Sequence, residues 1–267
     1  IENDRVIGGV NRPSAEAARD LYSIFVRGEL LLTDATTAEM VKLMENTYRD
    51  VNIAVANEFA RLAERFGINV WEAIELANRH PRVNILRPGP GVGGHCISVD
   101  PWFLVEAAPD LARLIRTARE VNDGQPQHVV ELARQAFGAL KGLRIAALGL
   151  AYKADVDDLR ESPAIEICHL FQQAGAAVIA FEPYRQEEQV AGIPLAKELM
   201  RALEDADLLV LLVAHRHFRN LSPATVAQAM RRRWALDAIN LLNRSDWERE
   251  GFQVVKLGEG LKSERGR

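Results

Sequence analysis

From Thr36 to Phe66 the chain carries neither glycine nor proline. A run of about 30 residues free of both breakers is expected as one helix, well beyond the mean length of roughly 11–12. Thr36-Thr37-Ala38-Glu39 reads as a capping box at its start. Met40, Met44, Tyr48, Val51, Val55, Phe59, Leu62 and Phe66 recur at spacings of three and four and make one continuous apolar stripe. That stripe is longer than one small helical domain needs to cover. It is expected to meet the same stripe of a second copy across a two-fold axis, giving a homodimer. Lys42, Asn46, Arg49 and Asn57 fall on a different face, so Lys42 and Asn46 bring an ammonium and an amide to one spot. A merely solvated polar face is the alternative.

Three regions follow along the chain. Residues 1–34 read as the end of an α/β unit: a strand over Arg5–Gly9, a helix capped by Ser14 and running to Phe25, and a strand from Glu29 to Thr33. One βαβ fragment cannot cover both faces of a parallel sheet, so the chain is expected to begin inside a domain whose larger part is missing. The absence of a starting Met agrees with that expectation. Residues 35–125 read as helical: the long helix, a second near Val70–Asn78, then helices near Pro101–Ala107 and Leu111–Val121. Residues 126–258 alternate. A helix over Gln127–Leu140 precedes strand Leu143–Leu148, helix Pro163–Ala174 and strand Ala177–Phe181. A helix over Leu195–Leu203, strand Asp207–Val213, helix Pro223–Met230 and strand Trp234–Asp237 complete the series. Such alternation implies an α/β domain, a Rossmann-like, doubly wound parallel sheet with helices on both faces. Residues 259–267 read as a charged, Gly-rich, frayed tail.

Between the second and third helices stands Gly89-Pro90-Gly91-Val92-Gly93-Gly94-His95-Cys96-Ile97-Ser98-Val99-Asp100. Glycines allow close approach to the backbone, and here they lead to one of two cysteines with a carboxylate four residues on. A ligand seated on Gly91, Gly93 and Gly94, with Cys96 aimed at it as a nucleophile, is the functional reading. A surface turn before a small buried residue is the bland one.

At the first strand–helix junction of the last domain, Leu148-Gly149-Leu150-Ala151-Tyr152-Lys153 leaves a strand and Asp157-Asp158-Leu159-Arg160-Glu161-Ser162-Pro163 enters a helix. Doubly wound sheets bind ligands beyond the carboxyl ends of their strands, where Lys153 and Arg160 would suit phosphates. The chain contains no G-x-G-x-x-G fingerprint.

Composition narrows the partners. A net charge of −4 gives no argument for a nucleic-acid or membrane surface. No apolar run approaches the ~18 residues that span a bilayer, and Ile1-Glu2-Asn3-Asp4-Arg5 has no signal-peptide character. Cys96 and Cys168 stand too far apart to suggest a disulfide scaffold, which fits a reducing cytoplasm and leaves a thiol free for chemistry. No metal is expected.

Glu45-Asn46-Thr47-Tyr48-Arg49-Asp50-Val51-Asn52, His80-Pro81-Arg82-Val83-Asn84, Gly89 to Asp100 and Asp157 to Pro163 resemble the nucleotide-sugar 6-dehydrogenases, the family of UDP-glucose dehydrogenase, and most of all their UDP-N-acetyl-D-mannosamine branch. The resemblance covers residues 1–255. It implies an NAD-binding N-terminal Rossmann domain, a central dimerisation helix and a C-terminal UDP-sugar-binding domain. It implies NAD-dependent oxidation of C6 of a UDP-sugar from alcohol to carboxylate, for cell-surface polysaccharide precursors. By motif, Cys96 matches the nucleophile that forms a thiohemiacetal and then a thioester. Asp100 matches its partner carboxylate, and Lys42 and Asn46 the groups that handle the C6 oxygen and a water. Lys153 matches a substrate contact and Arg160 a cofactor contact. Arg82 lies where related enzymes send an arginine into the neighbouring subunit's sugar pocket, at a different spacing from the cysteine here. Arg49 suits a contact to the sugar or diphosphate. Ser98 stands where the family often has proline. Without most of the N-terminal domain, the chain alone is expected neither to bind NAD normally nor to turn over. A UDP-sugar-binding and dimerisation module, or a dehydrogenase of UDP-N-acetylglucosamine or UDP-glucose, are the alternatives.

Overall fold

A computed structural model of the protein describes residues 1–260. Strand β1 (Arg5–Gly9), helix α1 (Arg12–Tyr22) and strand β2 (Leu30–Asp34) form a parallel βαβ unit with Arg5 opposite Leu30. The cap of α1 is Asn11, whose Oδ1 accepts from the Ser14 N–H, so Ser14 is inside the helix it was expected to begin. Strand β2 runs directly into α2 (Ala35–Phe66), a single helix of 32 residues. Its cap is Asp34 rather than Thr36. The Asp34 carboxylate accepts from the Thr37 N–H at 2.9 Å and the Thr37 hydroxyl at 2.7 Å, and those bonds hold its pKa below the ordinary value. The strand delivers the carboxylate two residues earlier than the capping-box pattern suggests.

Helix α2 turns its small residues, not its apolar stripe, toward the rest of the chain. Its buried residues are Asn46, Thr47, Asp50, Ala54, Ala56, Asn57, Ala60 and Ala63. Most of the apolar stripe faces outward instead, with Tyr48 74%, Phe66 68% and Met44 59% exposed. Alanines and short amides occupy the inner face because β1, α4 and α5 come close to it: a methyl on Gly8 would lie 2.6 Å from the Ala38 Cβ. Against α2 lie α3 (Val70–Ala77), α4 (Asp100–Ala107) and α5 (Arg113–Asp123), followed by α6 (Gln125–Phe137).

The second unit continues with β3 (Arg144–Leu148), α7 (Pro163–Gln173) and β4 (Ala177–Phe181). A short antiparallel hairpin, β5 (Gln189–Val190) and β6 (Ile193–Pro194), precedes α8 (Leu199–Leu203). Residues 195–198, expected as helix, belong to the return from that hairpin. Strand β7 (Leu208–Leu211), a 3-10 turn over Arg216–Phe218, α9 (Pro223–Ala229), β8 (Trp234–Asp237), α10 (Arg244–Arg249) and β9 (Gln253–Lys256) complete it. The last helix and strand lie beyond the series read from the sequence, which ends at Asp237.

The sheet is parallel in the order β4-β3-β7-β8-β9. Ile145 to Leu148 and Leu208 to Leu211 are fully buried, as strands covered on both faces must be. One face packs on α6 and α7 through Val129, Ala133, Ile167 and Phe171, the other on α8, α9 and α10 through Leu203, Val226 and Trp247. Connections leave β3 toward β4 and leave β7 toward β8, so the order reverses between β3 and β7. In such sheets that is where a crevice opens beyond the strand ends. Gly149 makes the exit from β3 at φ 89°, and a Cβ there would meet Val213 at 2.5 Å.

The expected tail does not begin at residue 259. The Val70 N–H donates to the Gly258 carbonyl, the Gly258 N–H to Glu64 Oε1, the Trp71 indole to the Leu257 carbonyl, and the Gly260 N–H to the Ile68 carbonyl. Residues 257–260 thus close the end of the sheet onto the corner between α2 and α3. The remaining residues of the expected tail lie outside the described ones.

Candidate active site

The loop into Cys96 is anchored at its start by two buried amides. The Gly89 N–H donates to Asn57 Oδ1 at 2.9 Å, and its carbonyl accepts from Gln125 Nε2 at 2.8 Å. Asn57 also donates to Asn122 Oδ1, and Asn122 donates to both Asp50 Oδ1 and the Asp50 carbonyl. Asp50 and Arg119, both buried, form a 2.5 Å ion pair beneath them. Burial pushes the Asp50 carboxyl up, against the attraction of Arg119. Neither Asn57 nor Gln125 was singled out as a site residue. Only the placing of Asn57 on the polar face hinted at it.

The glycines of this loop fit against protein. A Cβ on Gly93 would lie 2.4 Å from the Glu161 carbonyl and 2.8 Å from Pro163. One on Gly91 would meet Pro163 at 2.9 Å, and one on Gly94 the Tyr152 ring at 3.0 Å. The Gly94 N–H donates to the Arg160 carbonyl. The glycine signal expected to seat a ligand therefore first serves to lay the loop on the entrance to α7. Their missing side chains do not open a space.

Past the glycines the chain turns. The Val99 and Asp100 N–H groups both donate to the Cys96 carbonyl, at 3.1 and 2.7 Å. Asp100 thereby opens α4 one turn beyond Cys96. Its Oδ2 accepts from Asn46 Nδ2 at 2.5 Å. Asn46 is buried, and Cys96 is the half-buried thiol of the pair, while Cys168 is buried in α7 with its thiol pushed up to about 12.

Other expected members are placed differently. Lys42 projects to the surface, 61% exposed, and its ammonium pairs with Glu45 at 3.3 Å. One helical turn from Asn46, it does not join the Asn46–Asp100 bond, because the helix buries one side of that face and leaves the other wet. Arg160 stands on the loop that Gly94 rests against, its carbonyl accepting from the Gly94 N–H. Its guanidinium is held fork-to-fork by Asp158 and has its pKa raised first by that bond. The same bond pulls Asp158 down to about 2. Arg49 lines a separate open cleft of about 370 Å³ with Glu45, Tyr48, Asn52, Asn84 and Leu86. Arg82 is exposed on the loop beyond α3, its N–H on His80 Nδ1. Lys153 is exposed in the connection that leaves β3 for α7. A cavity of about 500 Å³ lies behind the loop, between Val99, Trp102, Arg119 and Pro163.

Toward NAD the described residues offer little. The βαβ unit of residues 5–34 has two strands, and the cap side chain of α1 is spent on Ser14. Arg160 is held by Asp158. These groups do not make a dinucleotide site by themselves. Among the described residues no cluster of three or more His, Cys, Asp or Glu could hold a metal, and no helix is long and apolar enough to cross a membrane.

Residues 36–124 match the central domain of the UDP-glucose/GDP-mannose dehydrogenase family, and residues 146–244 match that family's UDP binding domain. The chain belongs to this family. A UDP-N-acetyl-D-mannosamine dehydrogenase of Methanocaldococcus jannaschii is 52% identical over 263 residues, 97% of the chain and 60% of the relative. An NDP-N-acetyl-D-galactosaminuronic acid dehydrogenase of Ralstonia nicotianae is 56% identical over 224 residues, 83% of the chain and 53% of the relative. The solved structure of a UDP-D-ManNAc dehydrogenase from Pyrococcus horikoshii superposes with a TM-score of 0.88 at 41% identity, covering 97% of the chain and 61% of that structure. This family member thus spans between 53% and 61% of the length of these relatives.

Proposed function

We propose that the whole protein oxidises C6 of a UDP-sugar, UDP-N-acetyl-D-mannosamine foremost, from alcohol to carboxylate with NAD as electron acceptor. This chain supplies the UDP-sugar site and the covalent chemistry. The observation that carries the reading is the Asn46–Asp100 hydrogen bond one turn beyond Cys96, which ties the long helix to the thiol loop. Cys96 Sγ adds to the C6 aldehyde, the carbon–sulfur bond forming as the carbonyl oxygen takes a proton. After the second oxidation, water displaces the thiolate from the thioester and the acid leaves. Asp100, held by Asn46, would orient that water and accept its proton. The Asn46 amide and the Arg160 guanidinium favour negative charge developing near the sulfur. Lys153 would meet the diphosphate, and Gly91, Gly93 and Gly94 would serve the substrate through the loop they hold against α7. Arg49 and Arg82 would contact sugar or diphosphate, and Arg160 would also contact NAD. Lys42 would join the C6 oxygen only by leaving Glu45. No residue of this chain is assigned the acceptance of hydride.

A homodimer is part of the proposal. The exposed stripe of α2 continues into an apolar groove against α5, lined by Val51, Ala54, Val55, Phe59, Leu114 and Val121. A second copy of the same stripe is self-complementary to it. A cytoplasmic setting accords with free thiol chemistry.

The test has two arms. Calorimetric titration of this chain with UDP examines the nucleotide site, and no saturable heat would remove it. NADH formation by the whole protein is then measured with UDP-N-acetylmannosamine, UDP-N-acetylglucosamine, UDP-N-acetylgalactosamine and UDP-glucose. Cys96→Ser is expected to abolish turnover, because a serine hydroxyl is a far weaker nucleophile without a strong base. Binding of UDP without oxidation of any of these sugars would favour a UDP-sugar-binding and dimerisation module.

A further inference from the structure

At the carboxyl edge of the sheet two buried ionisable side chains meet that the proposed chemistry does not use. Glu182, immediately after β4, is 1% exposed, and His215, after β7, is fully buried. Glu182 Oε2 accepts from the N–H groups of Leu150 and Ala151 at 2.7 and 3.0 Å, and from His215 Nε2 at 3.1 Å. Burial would raise this carboxyl, but the bonds from His215 and the backbone outweigh it and hold its pKa below the ordinary value.

The other ring nitrogen fixes the tautomer. His215 Nδ1 faces the Asp155 N–H at 2.9 Å, and a backbone N–H can only donate. Nδ1 is therefore the unprotonated acceptor, and Nε2 carries the proton given to Glu182. Asp155 is held in the left-handed region at φ 61°, uncommon for residues other than glycine although aspartate tolerates it better than most. Its carboxylate is tied in turn to the Arg216 N–H and guanidinium and to the Tyr184 hydroxyl.

The segment between the two grips is short. Glu182 holds residues 150 and 151, His215 holds residue 155, and Lys153 stands between them. Tyr152, its neighbour, carries the ring on which Gly94 of the thiol loop rests.

We infer that His215 is a positioning residue: through its unprotonated Nδ1 it holds Asp155 in its left-handed turn, and so sets the Lys153 loop for a nucleoside diphosphate. The affinity part rests on the UDP reading above; the loop part does not.

Asparagine and glutamine separate the two nitrogens. His215→Asn keeps an acceptor near Nδ1 and loses the Glu182 contact. His215→Gln keeps a donor near Nε2 and loses the Asp155 contact. Amide exchange at Asp155, followed by NMR on the ligand-free chain, is expected to quicken about tenfold in the glutamine variant and to stay within about twofold of wild type in the asparagine variant, the scale of one hydrogen bond. The dissociation constant for UDP is expected to follow the same order. Equal exchange at Asp155 in both variants overturns the positioning role, whatever UDP does. Wild-type chain that fails to bind UDP removes only the affinity part, and the exchange rates still decide. If a variant does not fold, nitrogen NMR of wild-type His215 decides: a protonated Nδ1 overturns the inference, and a neutral ring protonated on Nε2 sustains it.

Discussion

Asn46 Nδ2 donates to Asp100 Oδ2 at 2.5 Å, joining a helix and a loop that are 54 residues apart in sequence. Asn46→Asp would set two carboxylates against each other where an amide and a carboxylate now pair. Their repulsion raises the folded-state pKa of one member of the new pair above its unfolded value. The penalty, about 1–3 kcal/mol, is therefore full at neutral pH and relieved as pH falls through that raised pKa. Urea unfolding at pH 7.5 and pH 5 checks it; an equal loss at both pH values would show that the carboxylates do not meet.

Cys96 and Cys168 are expected to differ sharply toward alkylation. Cys168 is buried and pushed up to about 12, so at pH 8 only roughly one thiol in ten thousand is the reactive thiolate. Mass spectrometry of iodoacetamide-treated folded chain should find the label on Cys96. Comparable rates at both positions would contradict the burial of α7's inner face.

Gly93→Ala places a methyl 2.4 Å from the Glu161 carbonyl. It is expected to destabilise by about 1–3 kcal/mol through overpacking. Gly89→Ala meets nothing within 4 Å and serves as the control, with a change under about 0.5 kcal/mol. Denaturant midpoints that rank the two alike would mean the loop does not rest on Tyr152 and Pro163.

Arg119→Met leaves Asp50 buried without its cation and should cost about 3–5 kcal/mol. Adding Asp50→Asn removes the stranded charge and should recover part of the loss. A double variant no more stable than the single one in thermal unfolding would place the cost in packing rather than charge.

Val55 is 42% exposed and Phe59 43% exposed on the outer face of α2. Glutamate at either position should leave the fold intact and shift the chain toward monomer in sedimentation velocity at micromolar concentration. Wild-type chain that sediments as monomer under those conditions would show that the stripe does not serve self-association.

Local regularities fixed much of this protein. A stretch without helix breakers became one helix, alternating patterns became a parallel sheet, and the spacing from Cys96 to Asp100 placed the carboxylate at the start of α4. These follow from backbone periodicity and turn chemistry, which act over a few residues. Only the tertiary structure decided which face of α2 turns inward. Periodicity locates an apolar stripe but not what covers it, and close approach by neighbouring elements drew alanines and short amides inside. It also separated Asn46 from Lys42, one turn apart on the same helix, because Asp100 stands beside only the first. The grip of Glu182 and His215 on the Lys153 loop joins residues after three different strands. No spacing along the chain announces such a contact, since it exists only once β3, β4 and β7 lie side by side.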